Sequence, residues 1–175
     1  MYQKKCGILI VLLLLVCCFC LTACETESDT TGEAVGTVTL SIHCENSAAH
    51  REQLLEKGED ATIVPEDGII LAATTIDIFP DESACDILRR VAKEQKLHVE
   101  FAGSKEAGTT YVKGIHNLYE KDGGSQSGWL GSVNGVFPSV SLEQYQVKDG
   151  DVIRFDYTLD FGNDLQDVAQ WETAE

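Results

Sequence analysis

Residues 127–140, SGWLGSVNGVFPSV, contain the clearest structural signal in the chain. Two apolar runs, Trp129–Val133 and Val136–Val140, flank the dipeptide Asn134-Gly135. Asn-Gly between two such runs is a strong β-hairpin signal, because both residues tolerate the positive φ that a type I′ turn requires. The sequence therefore predicts antiparallel strand pairing in this half of the chain.

An amphipathic helix is predicted upstream of the hairpin, between Ala84 and Gln95. Ser83 followed by Asp86 resembles a capping box, with Asp in place of the usual Glu or Gln. An apolar stripe on one helix face needs a partner, so we expect this helix to lie across a sheet. The stripe consists of Ala84, Ile87, Leu88, Val91 and Ala92.

Short strands and turns occupy most of the remaining sequence. Turn chemistry is clear at Pro65–Gly68 and at Lys148–Asp151, and a short helical turn is predicted at Gln53–Lys57. One helix against a small mixed or antiparallel sheet is an α+β architecture. The other predicted strands are Val38–Ile42, Ile69–Leu71, Thr74–Phe79, Leu97–Phe101, Tyr111–Ile115 and Asp151–Leu159.

Several short motifs of the C-terminal half occur in one order and spacing. Together with Pro65–Leu71 and the helix, the set resembles the transcobalamin-like C-terminal domain found in many bacterial surface proteins, most of them of unassigned function. The resemblance spans residues 38–164 and implies a β-grasp-like fold, with the helix packed on the sheet. The motifs are Ser127-Gly128-Trp129, Val133-Asn134-Gly135, Phe137-Pro138, Tyr145 and Lys148–Ile153.

The resemblance also implies a binding function. In transcobalamin and intrinsic factor this domain covers one face of cobalamin, beside a larger α-barrel domain. A single domain would therefore need a partner or a second copy to close a corrinoid site. The candidate ligand-binding residues are Tyr119, Trp129, Asn134, Phe137 and Tyr145. Their rings could form a platform for a flat ligand, or they could simply form the core, with Asn134 serving the turn.

The first residues predict export. Lys4 and Lys5 precede an uncharged run, Gly7–Leu21, which is shorter than the ~20 residues of a membrane-spanning helix. Leu21-Thr22-Ala23-Cys24 resembles the lipobox of bacterial lipoproteins, which makes residues 1–23 a signal peptide and Cys24 the lipidated residue. Its acyl chains would anchor the protein to the extracytoplasmic side of the cell membrane. The alternative is an uncleaved membrane anchor.

Composition divides the rest of the chain. Residues 24–37 are predicted to be the lipidated cysteine and a disordered acidic tether, and residues 38–164 the transcobalamin-like domain. Residues 165–175 are predicted to be an acidic tail, in which Trp171 is a candidate docking residue. Apart from Cys24, the exported part contains Cys44 and Cys85, which could form one disulfide or remain two buried thiols.

Charge and motif content exclude several functions. The chain has 13 basic and 29 acidic residues, a net charge of −16, so we expect no nucleic-acid partner. His43, His50, His98 and His116 lack zinc-ligand spacing, and no nucleophile elbow is present, so we expect neither a metal site nor an enzyme. The expected function is a non-catalytic binding module for a small molecule, with cobalamin or another corrinoid as candidate and no certain cofactor. The alternative is a protein-interaction or adhesion module with an envelope protein as partner.

Overall fold

Two β-sheets form the framework of the domain. The computed structural model describes residues 32–48 and 63–172, and these ranges contain nine strands, two α-helices and one 3₁₀ turn at Asn163–Leu165. The helices are α1 (Glu45–Ala48) and α2 (Ala84–Gln95). The strands are β1 (Gly36–His43), β2 (Ile69–Ile78), β3 (Val99–Ala102), β4 (Tyr111–Ile115), β5 (Leu118–Tyr119), β6 (Gly128–Val133), β7 (Val136–Phe137), β8 (Val152–Thr158) and β9 (Gln170–Trp171).

The larger sheet has six strands in the order β2-β1-β8-β6-β7-β9, and the smaller has the order β3-β4-β5. In the larger sheet β1 pairs with β8 in parallel, and so does β7 with β9, whereas the other neighbours are antiparallel. The sheet is therefore mixed, and the predicted α+β class is confirmed. Within the described ranges, no helix is long and apolar enough to cross a membrane.

The core lies between α2 and one face of the larger sheet. Helix α2 begins and ends where predicted, and its capping box is formed: the Ser83 hydroxyl accepts from the Asp86 backbone N–H, and the Asp86 carboxylate accepts from the Ser83 backbone N–H. The helix stripe packs in one cluster with alternate residues of the central strands β1 and β8, all of them buried: Val38, Leu40, Ile42, Ile153, Phe155 and Tyr157.

The predicted hairpin is present but its second strand is short. Asn134 and Gly135 have φ of 53° and 75°, as a type I′ turn requires. Strand β7 ends at Phe137 because Pro138 has no backbone N–H with which to continue a ladder. The chain leaves β6 at this point, and β7 pairs on its other side with β9.

Two strands predicted separately are one. Ile69–Leu71 and Thr74–Phe79 belong to the ten-residue β2, because Ala72 and Ala73 form a bulge. The register shows it: Leu40 pairs with Thr74 and Ile42 with Leu71, so two residues of β2 oppose the single Ser41. The predicted helical turn at Gln53–Lys57 lies outside the described residues, as do the signal peptide and Cys24.

The folded domain is longer than predicted at both ends. Strand β1 begins at Gly36, inside the predicted tether. The predicted boundary at Asp164 is too early, because Leu165 and Ala169 are buried against Phe137 and the chain then forms β9. Two apolar residues four apart in an acidic segment hold the tail on the domain. The compact unit spans Gly32–Glu175 and has its own hydrophobic core.

Candidate ligand groove

A groove of about 220 Å³ lies beside β6. It opens at the point where the chain, after the short strand β7, turns away from β6. Its floor contains the buried Phe155 and the half-buried Gly131, with the buried Cys85 from the first turn of α2. Its rim is formed by three large apolar side chains that are about half exposed: Tyr111 (45%), Val140 (48%) and Trp171 (52%). We call this feature the β6 groove.

The β6 groove also offers unused polar groups. The Asn134 backbone N–H donates to the Val152 carbonyl of β8, which fixes the alternation along β6. The backbone groups of Trp129 and Gly131 therefore point away from β8, towards the groove, where the described residues supply no ladder partner. The Ser141 hydroxyl, also at the groove, is buried and makes no hydrogen bond within the described part of the chain. A ligand that forms hydrogen bonds with these groups is stabilised in the groove, because it satisfies donors and acceptors that otherwise lack partners.

Gly131 is required by the packing of the groove floor. A Cβ at this position would overlap the Cδ1 atom of Leu142 and lie 2.9 Å from Cε1 of Phe155. Because Phe155 is fully buried, its ring has no room to retreat. The glycine thus lets Leu142 cover β6 while the space beside it stays open.

Two of the five predicted ligand residues line the groove, but neither is an exposed platform. Trp129 is 7% exposed, donates from Nε1 to the Leu118 carbonyl at 2.8 Å, and contacts Tyr157 edge-to-face at 5.2 Å. Phe137 is 2% exposed, with its ring 4.9 Å from that of Trp171. Both rings serve mainly as core and wall.

The other three predicted residues lie outside the groove lining. The Tyr119 hydroxyl is 2.9 Å from Nε2 of His98. The Asn134 side chain donates to Asp151 at 2.8 Å and accepts from the Val152 N–H at 2.9 Å, so it fastens the hairpin tip to β8. Tyr145 is half-buried against the core. The structure does not bring the five residues together around one space.

The rim residues Tyr111, Val140 and Trp171 were not among the candidates. The sequence predicts Trp171 only as a docking residue of the tail, and Tyr111 only as the first residue of a strand. For Tyr111 and Val140 the signal that could have identified them is their position, because each is a large apolar residue at the end of a predicted strand, where core burial is incomplete. For Trp171 the signal is a large aromatic residue in an otherwise acidic segment.

An ion cluster around the buried Glu143 holds the segment that carries Ser141 and Leu142. The Glu143 carboxylate accepts from Arg89 at 2.5 and 3.2 Å and pairs with Lys105 at 2.7 Å. Burial alone would raise the pKa of Glu143, but hydrogen bonds from these two cations outweigh it and hold the pKa below its ordinary value. The cluster thereby ties this wall of the groove to α2.

The two cysteines of the domain remain separate. Cys44 and Cys85 are buried free thiols, so the candidate disulfide between them is not formed. Cys44 directly follows β1, and Cys85 lies in the first turn of α2. Burial raises the pKa of each thiol to about 12, which removes the thiolate needed for nucleophilic attack or metal binding. Among the described residues no group of three or more His, Cys, Asp or Glu side chains could hold a metal ion.

The fold and the groove define an α+β domain with an open apolar site beside the part of β6 that β7 leaves unpaired. A family model described as a domain of unknown function (DUF4430) matches residues 81–158, which include α2 and the groove floor. No curated protein matches the chain.

Two solved structures are similar in outline. One is haptocorrin in complex with Cbi, with 11% identity and a TM-score of 0.49 over 70% of this chain and 25% of the haptocorrin chain. The other is a proposed metal binding protein from Ruminococcus gnavus, with 13% identity and a TM-score of 0.41 over 70% of this chain and 96% of that one. The match spans only about a quarter of haptocorrin, and neither likeness assigns a ligand to this chain.

Proposed function

We propose that this protein is a non-catalytic binding module that holds part of a small, largely apolar molecule in the β6 groove. The observation that carries the proposal is the rim: Tyr111, Val140 and Trp171 stand half exposed around one opening. Large apolar side chains of one domain are rarely left so together unless something covers them. The unpaired backbone of β6 and the Ser141 hydroxyl would fix the ligand's polar groups.

The size of the groove restricts how the ligand is held. Ligand sites usually enclose about 300–1,000 Å³, and the β6 groove, at about 220 Å³, lies below that range. It would therefore grip one edge or face of a larger molecule, whose other face is covered by a partner or a second copy. A corrinoid is our candidate, supported by the motif set that resembles the transcobalamin-like domain and by the β-grasp-like fold which that resemblance implies.

We place the module on the extracytoplasmic side of the cell membrane, anchored through lipid on Cys24. The lipobox supports this placement, and so does the start of β1 at Gly36, twelve residues after Cys24. The tether that the sequence predicts over this length would reach roughly 20 Å. The ligand would then be captured close to the bilayer surface.

The test is a titration of the compact unit Gly32–Glu175 with cobalamin, followed by corrin absorption and by heat release. Trp171→Ala should weaken binding by roughly tenfold, since an aromatic contact contributes about 0.5–1.5 kcal/mol beyond the apolar area that it buries, and ~1.4 kcal/mol is tenfold. Phe161→Ala is the matched control, because Phe161 is 62% exposed and does not line the groove. Absence of binding at high micromolar cobalamin would exclude a corrinoid as the ligand. Equal losses of affinity in both variants would exclude the β6 groove as the binding site.

A second candidate function is a protein-interaction module. The unpaired backbone of Trp129 and Gly131 favours it, since a free strand edge can pair with an extended segment of another protein. A pull-down from cell-envelope extract should then recover a partner with the wild type and with Phe161→Ala, but not with Trp171→Ala. Recovery of no specific partner argues against this function.

A further inference from the structure

Strand β2 forms one margin of the larger sheet and is unusually long for an edge strand. It runs for ten residues and pairs only with β1 among the described residues. Residues 69–76, IILAATTI, contain no charge and no proline. Edge strands are normally protected by charges, proline or short length, because their free backbone groups can pair with another chain.

The free backbone groups of β2 can be identified from the hydrogen bonds around it. Thr37 and Thr39 of β1 bond towards β8, so the residues between them bond towards β2. On β2 the Ile78 carbonyl accepts from the Val35 N–H, whereas the Asp77 carbonyl points outward to Arg90. Alternation along the regular part of the strand then turns the N–H and C=O groups of Thr75 outward. Because Thr74 still pairs with Leu40, the trans peptide between Ala73 and Thr74 also turns the Ala73 C=O outward.

On the side of β2 away from β1, no neighbouring strand lies within the described part of the chain. Val38 and Ile42 of β1 are fully buried in the core, at 2% and 0% exposure. Their partners on β2, Ile76 and Leu71, face the same core but are only partly buried. One more strand beside β2 would complete the burial of these two residues.

We propose that this edge is a self-association surface, at which β2 pairs antiparallel with β2 of a second copy around a two-fold axis at Thr74. Only residues with outward groups can exchange hydrogen bonds, so Ala73 pairs with Thr75 of the second copy and Thr74 faces its own equivalent. The bulge at Ala72 and Ala73 bends the strand and limits the ladder to a few residues on either side of the axis. A two-fold contact uses the same patch on both copies, as this one does.

The lack of charge in residues 69–76 supports a second copy as the occupant of this edge. With a net charge of −16, two copies repel each other over most of their surfaces. The uncharged stretch 69–76 is a place where they can approach without placing carboxylates together. Screening by salt should therefore strengthen the association.

Cysteine cross-linking tests the register in the compact unit Gly32–Glu175. Thr74 and its equivalent would form a non-hydrogen-bonded pair, whose Cα atoms lie about 4.5 Å apart, within reach of a disulfide. Thr74→Cys should give a covalent dimer under mild oxidation, whereas Thr75→Cys, facing Ala73 of the second copy, should give far less. Wild type is the control for Cys44 and Cys85. Equal cross-linking of both variants, or none of Thr74→Cys with an unchanged melting temperature, overturns the proposal.

Sedimentation equilibrium provides a second test that needs no cross-link. Thr75→Lys should raise the dimer dissociation constant by about tenfold or more, because it places a charge beside the ladder. Ser125→Lys makes the same charge change on an exposed loop and should leave the constant within about twofold of wild type. Raising salt from about 0.05 M to about 0.5 M should lower the constant. A wild-type chain that stays monomeric at both salts, or equal effects of the two lysines, refutes it.

Discussion

The substitution Gly131→Ala tests the account of the groove floor. The added methyl group would overlap Leu142 and lie 2.9 Å from the Phe155 ring. Phe155 is fully buried and fixed, whereas Leu142 is only partly buried and can swing aside. The open space available to it is the β6 groove, so the same change should both strain the core and fill the site.

The expected loss of stability depends on whether Leu142 or Phe155 moves to make room for the methyl group. Overpacking of a rigid core costs about 1–3 kcal/mol, and the mobile leucine end places this case near 1–2 kcal/mol. For a domain of this size that corresponds to a fall in melting temperature of roughly 3–8 °C. Gly128→Ala on the same strand is the matched control, because its added Cβ meets only the Glu120 side chain, at 3.8 Å. It should change stability by no more than about 0.5 kcal/mol.

The assay is urea unfolding of Gly32–Glu175, followed by tryptophan fluorescence, with ligand titration of each variant. Adding Leu142→Ala to Gly131→Ala removes the overlap, so the two changes together should cost less than the sum of their separate effects. If Gly131→Ala is as stable as Gly128→Ala and binds ligand as tightly as wild type, the packing argument is wrong. Additive costs in the double variant would also refute it.

Three further predictions concern single residues. Asn134→Ala should lower the free energy of unfolding by about 1–2 kcal/mol in urea titrations but leave ligand affinity unchanged, because its side chain fastens the hairpin and does not line the groove. Because the pKa of Glu143 is depressed in the folded state, its stabilisation is present above its unfolded pKa of about 4.3 and is lost as pH falls through the folded value. Glu143→Gln should reduce this acid dependence in melts between about pH 6 and pH 3, whereas Glu33→Gln, at an exposed site, should not. Cys44 and Cys85 should resist a thiol reagent at about pH 8 until the domain is unfolded, and rapid labelling of native protein would contradict their burial.

Those parts of the fold whose causes are local were predictable. The capping box at Ser83 and the apolar stripe define α2 within one short segment, and Asn134-Gly135 defines its turn by backbone preference alone. The parallel pairing of β1 with β8 was not predictable, because it joins residues such as Leu40 and Ile153 that are 113 positions apart in sequence. The sequence of neither strand specifies which strand it pairs with, because the pairing depends on the burial of both strands against α2.

The groove was harder to predict than the fold, because it exists where a strand pairing stops. The aromatic residues that looked most like a platform, Trp129 and Phe137, satisfy their own packing requirements in the core. Composition predicts that Trp171 belongs to an acidic tail, because only two other apolar residues of its segment, Leu165 and Ala169, are buried in the domain. Sequence patterns report which residues prefer burial, but an open site consists of apolar residues whose burial is incomplete.

The course of the chain after the hairpin connects these observations. Pro138 ends the pairing of β7 with β6, and this leaves the Trp129–Gly131 edge open. The other side of β7 is taken by β9, which carries Trp171 to the rim of the opening that Pro138 created. Trp171 lies beyond residues 81–158, the segment that matches the domain of unknown function. The floor of the groove is thus built by the matched segment and part of its rim by the last strand, so substitution of Trp171 should change the rim while leaving the floor in place.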